Sequence, residues 1–254
     1  KIVHINMLSA ANILPLLAVK NTGAIAVVHA HNDRTQGLLR TLMHSLNLTA
    51  LRKNSDIKLA CSVEAGKWLW GKGIFSVIPN AIDADNFSFS MNDRVLSRRS
   101  LGISDSDFVI GFVGRLSTQK NPLYLIDIFY AVKQQTHRNV KLLLIGDGPL
   151  KNSVMSYAKD KGVINDTIFA GIQSNTSQWY SVFDCFVLPS LYEGFGIVAV
   201  EAQANGLPCF VSAHVPPAIK IADSLRFLPL DNGANNWADA IVSVADNDAV
   251  ERNN

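Results

Sequence analysis

Charge is scarce in this sequence. Only 17% of its 254 residues are charged, and 23 basic against 21 acidic side chains leave a net +2. That balance carries no concentrated basic face, so nucleic acid is excluded as a partner class. Cysteine is scarcer still. Cys61, Cys185 and Cys209 each sit in an apolar, strand-like run without metal-ligand spacing. An odd number of such thiols fits the reduced, buried cysteines of a cytoplasmic protein better than a disulfide framework or a zinc site. No apolar run approaches the roughly 18–20 residues that span a bilayer. No secretory leader is visible ahead of the first strand, and there are no repeats or low-complexity tracts. What is plentiful is apolar side chain, 48% of the total. At this length that supplies core for one large or two modest domains.

The most informative stretch runs from Phe183 to Ser212. Phe183 to Leu188 reads as a buried strand ended by Pro189, and Gly194 and Gly196 bracket a turn. Ile197 to Asn205 reads as a helix stopped by Gly206 and Pro208, and Cys209 to Ser212 as the next strand. Strand, crossover helix and strand make a βαβ unit and hence a parallel sheet. Two carboxylates lie in it, Glu193 in the loop and Glu201 in a helix otherwise rich in Ile, Val and Ala. An unpaired ionised Glu there is costly. A helical side chain leans toward its own N-terminus, which aims Glu201 at the mouth of the Glu193 loop, where open α/β sheets bind ligands. A solvated Glu on a half-exposed helix is the plain alternative.

Ahead of this stretch the same alternation of strand and helix recurs. Ile2 to Met7 is a strand, Ser9 a candidate N-cap for a helix reaching about Lys20, and Ala24 to His31 a second strand. His31 and Asn32 stand at its C-terminal end, and His29 lies deeper as a structural residue. Gln36 to Leu51 keeps Leu38, Leu39, Leu42, Met43 and Leu46 at helical spacing, with Arg40 and His44 off the stripe and Arg52 and Lys53 following. The preferred reading packs this stripe on its own sheet; the other lays it on a membrane surface. Ile57 to Ser62 is a strand, Glu64 to Gly73 a short helix and Phe75 to Asp83 a strand stopped at Pro79-Asn80. The polar run Ala84 to Asn92 and a helix from Asp93 to Leu101 read as a linker.

The second half reads as a complete domain. Phe108 to Gly114 is a buried strand running through Arg115 and Lys120 into a helix from Leu123 to Gln135, with Asn121 as N-cap and Pro122 at its first position. A glycine-bearing loop feeding a helix N-terminus binds anions, and two cations reinforce it. The spacing matches neither G-x-G-x-x-G nor a Walker loop. Val140 to Gly146 is a strand, and Gly146-Asp147-Gly148-Pro149 turns into a helix from Leu150 to Lys161. Gly146 and Gly148 admit either a ligand against the backbone or a plain tight turn. Thr167 to Ile172 is a strand, Ser174 to Val182 a helix, Arg226 to Leu230 a last strand and Asn235 to Ala245 a closing helix.

The segments PNAID, GFVGRLSTQKNP, LLIGDGPL, FAGI and PSLYEGFGIVAVEAQANGLP, in that order, resemble the motifs of retaining glycosyltransferases of the GT-B fold. The likeness is to family 4, the glycosyl transferases group 1, of exopolysaccharide or capsule type. The resemblance implies an α/β protein of two Rossmann-like domains. Residues 1–83 would be the C-terminal part of an acceptor-side domain, 84–106 a linker and 107–254 the nucleotide-sugar domain. Strands ahead of Lys1 are expected, because a whole GT-B first domain has more of them.

The resemblance also implies the chemistry. A sugar moves from a nucleotide-sugar donor, a UDP-sugar, to a saccharide or lipid-linked saccharide in cell-surface polysaccharide synthesis. Arg115 and Lys120 would neutralise the pyrophosphate beside Gly114, Gly146 and Gly148. Gly171, Ile172 and Gln173 would meet the nucleobase, and Glu201 the ribose. Glu193, with Gly194, Phe195 and Gly196, would orient the sugar, and His31 would face it. The helix from Ile197 would add its dipole at the phosphates. Catalysis is expected from Glu193, His31, Arg115 and Lys120, without a cofactor and, the donor-side loops lacking a D-x-D pair, without a metal. A cytoplasmic protein touching the inner membrane face is implied. A nucleotide-sugar epimerase of the same fold, or a non-catalytic nucleotide-sugar binding module, are the rival readings.

Overall fold

Runs of Val, Ile and Leu with no polar alternation form strands that must be covered on both faces, and the parallel sheets here are built from them. The computed structural model describes every residue except Asp33, Gln36 and 247–254. The chain divides into two units, Lys1–Ala81 with Tyr192–Gly196, and Ile82–Leu191 with Ile197–Asn254.

In the first unit β1 (Ile2–Met7), α1 (Leu14–Lys20), β2 (Ile25–Ala30), α2 (Leu38–Asn54), β3 (Ile57–Ala60), α3 (Val63–Trp70) and β4 (Ser76–Val77) follow in order. The four strands pair in parallel in the order β1-β2-β3-β4. β2 is buried along nearly its whole length, while β1 is exposed along most of it. Ser9 does not cap α1. Its hydroxyl accepts from Ala11 N at 3.2 Å, and the helix begins only at Leu14, with Pro15 fixing its first turn. Ser62, by contrast, caps α3 through the Ala65 N–H at 3.1 Å. The long strand expected from Phe75 shrinks to β4, since Pro79 brings no N–H to the ladder.

α2 corrects the sequence reading most. The expected start at Gln36 lies outside the described residues. The apolar stripe does not pack on the sheet: Leu38, Leu42 and Leu46 are 94%, 57% and 71% exposed. The inward face carries Leu51 and His44, the residue read as off the stripe. His44 Nδ1 accepts from Ala10 N at 3.0 Å, and its ring stacks on Trp68 at 4.1 Å. A hydrogen-bonded, stacked imidazole is a satisfied core residue, which hydrophobic periodicity does not register.

In the second unit the elements are α4 (Met91–Ser100), β5 (Phe108–Val113), α5 (Pro122–Gln135), β6 (Val140–Ile145), α6 (Lys151–Asp160), β7 (Thr167–Gly171), α7 (Ser177–Tyr180), β8 (Cys185–Leu188), α8 (Ile197–Ala204), β9 (Cys209–Ser212), β10 (Leu225–Leu228) and α9 (Gly233–Ala245). The strands form one parallel sheet in the order β10-β9-β8-β5-β6-β7. From β5 the chain winds outward through β6 and β7, then returns to β8 on the other side. This reversal is the topological switch point, beyond whose strand ends doubly wound sheets bind ligands. Gly111 in β5 lies against the Phe183 ring, with no room for a Cβ.

The stretch 84–106, read as a linker with a helix, is fastened by Arg94 and Arg98 of α4 to Asp184 and to carbonyls of residues 181–183. Two local expectations change here. The helix expected over Ser174 to Val182 is the single turn α7, because Asn175 spends its side chain on the backbone and hydroxyl of Ser177. Asn121 precedes α5 but its side chain makes no cap; it adopts a left-handed φ of 53°, alone among the described non-glycine residues. The expected domain end at Asn254 lies outside the described residues.

Candidate functional site

Three loops of the second unit leave the C-terminal ends of β5, β6 and β7 and surround a cavity of about 260 Å³. Gly114, Arg115, Gly146 and Ile172 line it, with Asp147, Gln173 and Thr176. The loops are stitched by backbone bonds: Leu116 N to Asp147 O at 3.0 Å, Leu150 N to Leu116 O at 3.0 Å and Gly146 N to Gly171 O at 2.7 Å. Gly146 has φ +128°, and a Cβ there would stand 2.1 Å from Gly114 O; at Gly148 it would stand 2.3 Å from Leu116 O. The room these glycines leave is therefore filled by the neighbouring loop, and Gly148 does not line the cavity. Asp147 accepts from Gly148 N and from Lys151, whose ammonium pulls its carboxyl below the ordinary range. Ile172 is 81% exposed, a bare apolar side chain at the rim.

Glu201, on α8, is half-buried, and the Tyr180 hydroxyl donates to its Oε2 at 2.5 Å. The Tyr180 ring is wholly buried. Burial raises the Glu201 carboxyl above its ordinary value; the Tyr180 hydrogen bond and the charge of Lys120 oppose this without cancelling it. Burial, and then the charge of Glu201, push the Tyr180 hydroxyl well above its usual range. Glu201 is thus no solvated surface carboxylate. The Lys120 stem runs beside Gly114, its Cε 3.4 Å from where a Cβ would stand.

A testable consequence concerns stability. The fold disfavours the charged form of Glu201, so this group's contribution is intact below the unfolded value near 4.5 and lost as pH rises through the higher folded value. Glu201→Gln removes that loss. The variant is expected to melt above the parent at pH 8, with the gap closing below about pH 4.5. Thermal scans across that range check it, and a variant no more stable at pH 8 sinks it.

The first unit gathers the other candidates. Tyr192–Gly196, expected in the second domain, packs with the first unit. The reason lies in Gly194: a Cβ there would sit 2.1 Å from His31 O, so only glycine lets the loop lie on the end of β2. The Cys61 thiol donates to Gly194 O at 3.5 Å, and the Arg34 guanidinium lies 4.4 Å over the Tyr192 ring. Glu193 and Phe195 are buried, at 5% and 6% exposure. His31 Nε2 lies 2.9 Å from Asn6 Oδ1, and its ring meets His29 at 4.2 Å. Burial, then the neighbouring His29, hold His31 below its ordinary value, so the ring is neutral near pH 7. A second cavity, of about 340 Å³, opens at the end of β1 with Asn6, Ser9, Asn12 and Arg40 in its walls.

A switch-point cavity bordered by Arg115, with Lys120 and the half-buried carboxylate of Glu201 in the same unit, is the kind of place that holds a phosphorylated ligand. A family model described as Glycosyl transferases group 1 matches residues 93–253. The chain belongs to the glycosyl transferases group 1 family.

Among relatives of this glycosyltransferase, it is 29% identical to the glycosyltransferase EpsF of Bacillus subtilis, over 90% of this chain and 68% of that protein. It is 30% identical to the UDP-Gal:alpha-D-GlcNAc-diphosphoundecaprenol alpha-1,3-galactosyltransferase of Escherichia coli, over 83% of this chain and 57% of that one. The chain thus spans between half and about two thirds of these relatives. Among solved structures, Anabaena HepE in complex with UDP and glucose superposes with TM-score 0.78 at 21% identity, covering 96% of this chain and 68% of HepE. Sucrose-phosphate synthase from Thermosynechococcus elongatus superposes at 0.77 with 19% identity, covering 97% of this chain and 64% of that one. The fold is therefore that of the GT-B glycosyltransferases, with two parallel-sheet α/β units.

Sequence reasoning missed several residues that the glycosyltransferase fold brings to these places. Tyr180 stands 21 residues before Glu201, and no local spacing links the two. Asn6 reaches His31 only through the β1-β2 register, in which Asn6 pairs His29. Cys61, read as a reduced, buried thiol, meets Gly194 across 133 residues of sequence.

Proposed function

We propose that the chain transfers a hexosyl unit from a UDP-sugar, with retention of anomeric configuration, to a saccharide or lipid-linked saccharide acceptor in cell-surface polysaccharide synthesis. The observation that carries this reading is the cavity at the switch point of the second sheet, bordered by Arg115 and the exposed Ile172. Arg115 and Lys120 are assigned to the diphosphate, where fixed positive charge stabilises the leaving group as negative charge grows on it. Ile172 offers an apolar edge to the nucleobase, and Glu201, pre-oriented by Tyr180, accepts from the ribose hydroxyls. Glu193 and His31 are assigned to the transferred sugar. The neutral His31 can donate a hydrogen bond to a sugar oxygen or accept one from a hydroxyl. With both cations in place, the diphosphate needs neither a cofactor nor a metal.

The test is UDP binding by calorimetry. Lys120→Ala is expected to weaken UDP by about 1.5–3 kcal/mol, the range for hydrogen bonds to charged groups, and Arg115→Ala by the lower end, because Arg115 starts exposed to water. Uridine, which lacks the phosphates, should bind all three proteins alike. Equal losses for UDP and uridine would remove the phosphate assignment.

A further inference from the structure

The cavity of about 340 Å³ at the end of β1 is large enough for a small ligand. Its polar side chains are Asn6, Ser9, Asn12 and Arg40, and no acid stands among the described residues that line it. Three of the four have already spent an acceptor inside the protein. Asn6 Oδ1 lies 2.9 Å from His31 Nε2, Ser9 Oγ accepts from Ala11 N at 3.2 Å, and Asn12 Oδ1 accepts from Leu14 N at 3.1 Å. What these side chains still offer is chiefly donors, the amide N–H groups of both asparagines and the hydroxyl proton of Ser9. Arg40 adds a guanidinium, with five donors and no acceptor. Among the described residues no carboxylate pairs with it.

The neighbouring backbone does not supply the missing acceptors. Met7 O accepts from His31 N at 3.0 Å, and Ala10 O and Ala11 O accept from Asn47 Nδ2 at 3.0 and 3.3 Å. The same bonds build the cavity before any ligand arrives. Arg40, His44 and Asn47 follow at four- and three-residue steps along one face of α2. His44 and Asn47 hold the backbone of Ala10 and Ala11, so the loop that carries Ser9 and Asn12 is fixed to the helix that carries Arg40. Less ordering is then left for binding to offset.

We propose that this cavity takes an anionic group of the acceptor, a phosphate or a carboxylate on or next to its sugar ring, held by the Arg40 guanidinium and the donors of Ser9 and Asn12. A planar guanidinium grips two oxygens of either group at once. A neutral saccharide would leave the cation, and a cavity of donors, with few acceptors to meet. Asn6 sets the place in relation to the reaction. It lines the cavity and also bonds His31, the residue assigned to the transferred sugar. The charged group of the acceptor is therefore read one side chain away from that sugar, which narrows the acceptor to a charged class. The inference rests on the assignment of His31 to the transferred sugar and does not depend on which sugar is moved.

Calorimetry with glucose 1-phosphate, glucuronate and glucose, each added to the chain in saturating UDP, tests it. UDP occupies the assigned diphosphate site of the second unit, so the added anions report on the first. At least one of the two anions is expected to bind about tenfold or more tighter than glucose. A preference for glucose 1-phosphate assigns the cavity to a phosphate, and one for glucuronate assigns it to an acidic sugar. Arg40→Gln should remove the preference. Asn12→Asp keeps an oxygen to accept from Leu14 N but turns the remaining donor into a negative oxygen. It should weaken the anions about tenfold or more and leave glucose nearly unchanged. Both variants should keep the parent's melting temperature and UDP affinity. Glucose bound as tightly as the anions, no binding of any of the three, or a preference that survives both variants overturns the proposal. UDP binding on the same samples keeps the two readings apart. An absent anion preference with UDP bound touches only this one, whereas failure of the parent chain to bind UDP touches the donor assignment.

Discussion

Replacing Asp184 by alanine is expected to lower the unfolding free energy of the second unit by about 3–5 kcal/mol, the range for removing one partner of a buried ion pair. The side chain of Arg98 is 1% exposed, and Asp184 is the acid that faces it. Asp184 Oδ2 accepts from Arg98 at 3.2 Å and from Val109 N at 2.7 Å, while Oδ1 accepts from Arg94 at 2.6 Å. One carboxylate therefore ties α4 to the start of the central strand β5. Burial drags the Arg98 guanidinium down from its ordinary value, and the charge of Asp184 works against that. Without Asp184 the hydrogen bonds left to the cation among the described residues go to carbonyls, those of Val182, Ser104 and Asp107, and the charge of Asp105 acts on it more weakly. Dipoles do not replace a full negative charge beside a guanidinium that is itself shielded from water. Asp184→Asn keeps an acceptor for Val109 and should fall between parent and alanine. Arg94→Ala should cost less, because its side chain is 20% exposed and water takes over part of its role. Urea denaturation at neutral pH reads all three, and a loss under about 1 kcal/mol for Asp184→Ala would contradict this account.

The second unit was largely legible from sequence, and the reason is physical. Strands such as FVIGFV and VKLLLI are apolar at nearly every position because helices cover both faces of the sheet. Gly206 and Pro208 then mark a helix end that no packing detail shifts. The first unit was harder to read. Periodicity reports an apolar stripe but not the direction it faces, and in α2 the inward side is organised around His44, Asn47 and Leu51. Of the candidate site, Gly114, Arg115 and Gly146, on loops with local signatures, lie together at the cavity. Gly148 shows the limit. Its lack of a Cβ was visible, but whether ligand or neighbouring loop fills the space is decided by Leu116, 32 residues earlier. Tyr180 was invisible, since only the folded register of α7 against α8 brings a phenol to Glu201.

The two carboxylates are expected to separate in kinetics, on the reading that Glu193 meets the transferred sugar and Glu201 the ribose. The ribose is unchanged from ground state to transition state, so the contact with Glu201 is uniform binding. Glu201→Gln should raise KM for the UDP-sugar with little change in kcat. The sugar ring, in contrast, flattens and gains positive charge as the bond to the leaving diphosphate stretches. Glu193 is 5% exposed, and a carboxylate shielded from water acts on developing charge with little screening. Its loop lies on the end of β2, with Gly194 against His31 O and the Cys61 thiol on Gly194 O, so little reorganisation is needed as the charge appears. Glu193→Gln preserves the shape and removes the charge, and kcat should fall by about 10² or more, roughly 2.7 kcal/mol of barrier, while KM moves less. Steady-state donor turnover by the two single variants decides the assignment. If Glu193→Gln leaves kcat intact while Glu201→Gln abolishes it, the roles are reversed, and the hydrogen bond from Tyr180 to Glu201 would then belong to the reacting sugar.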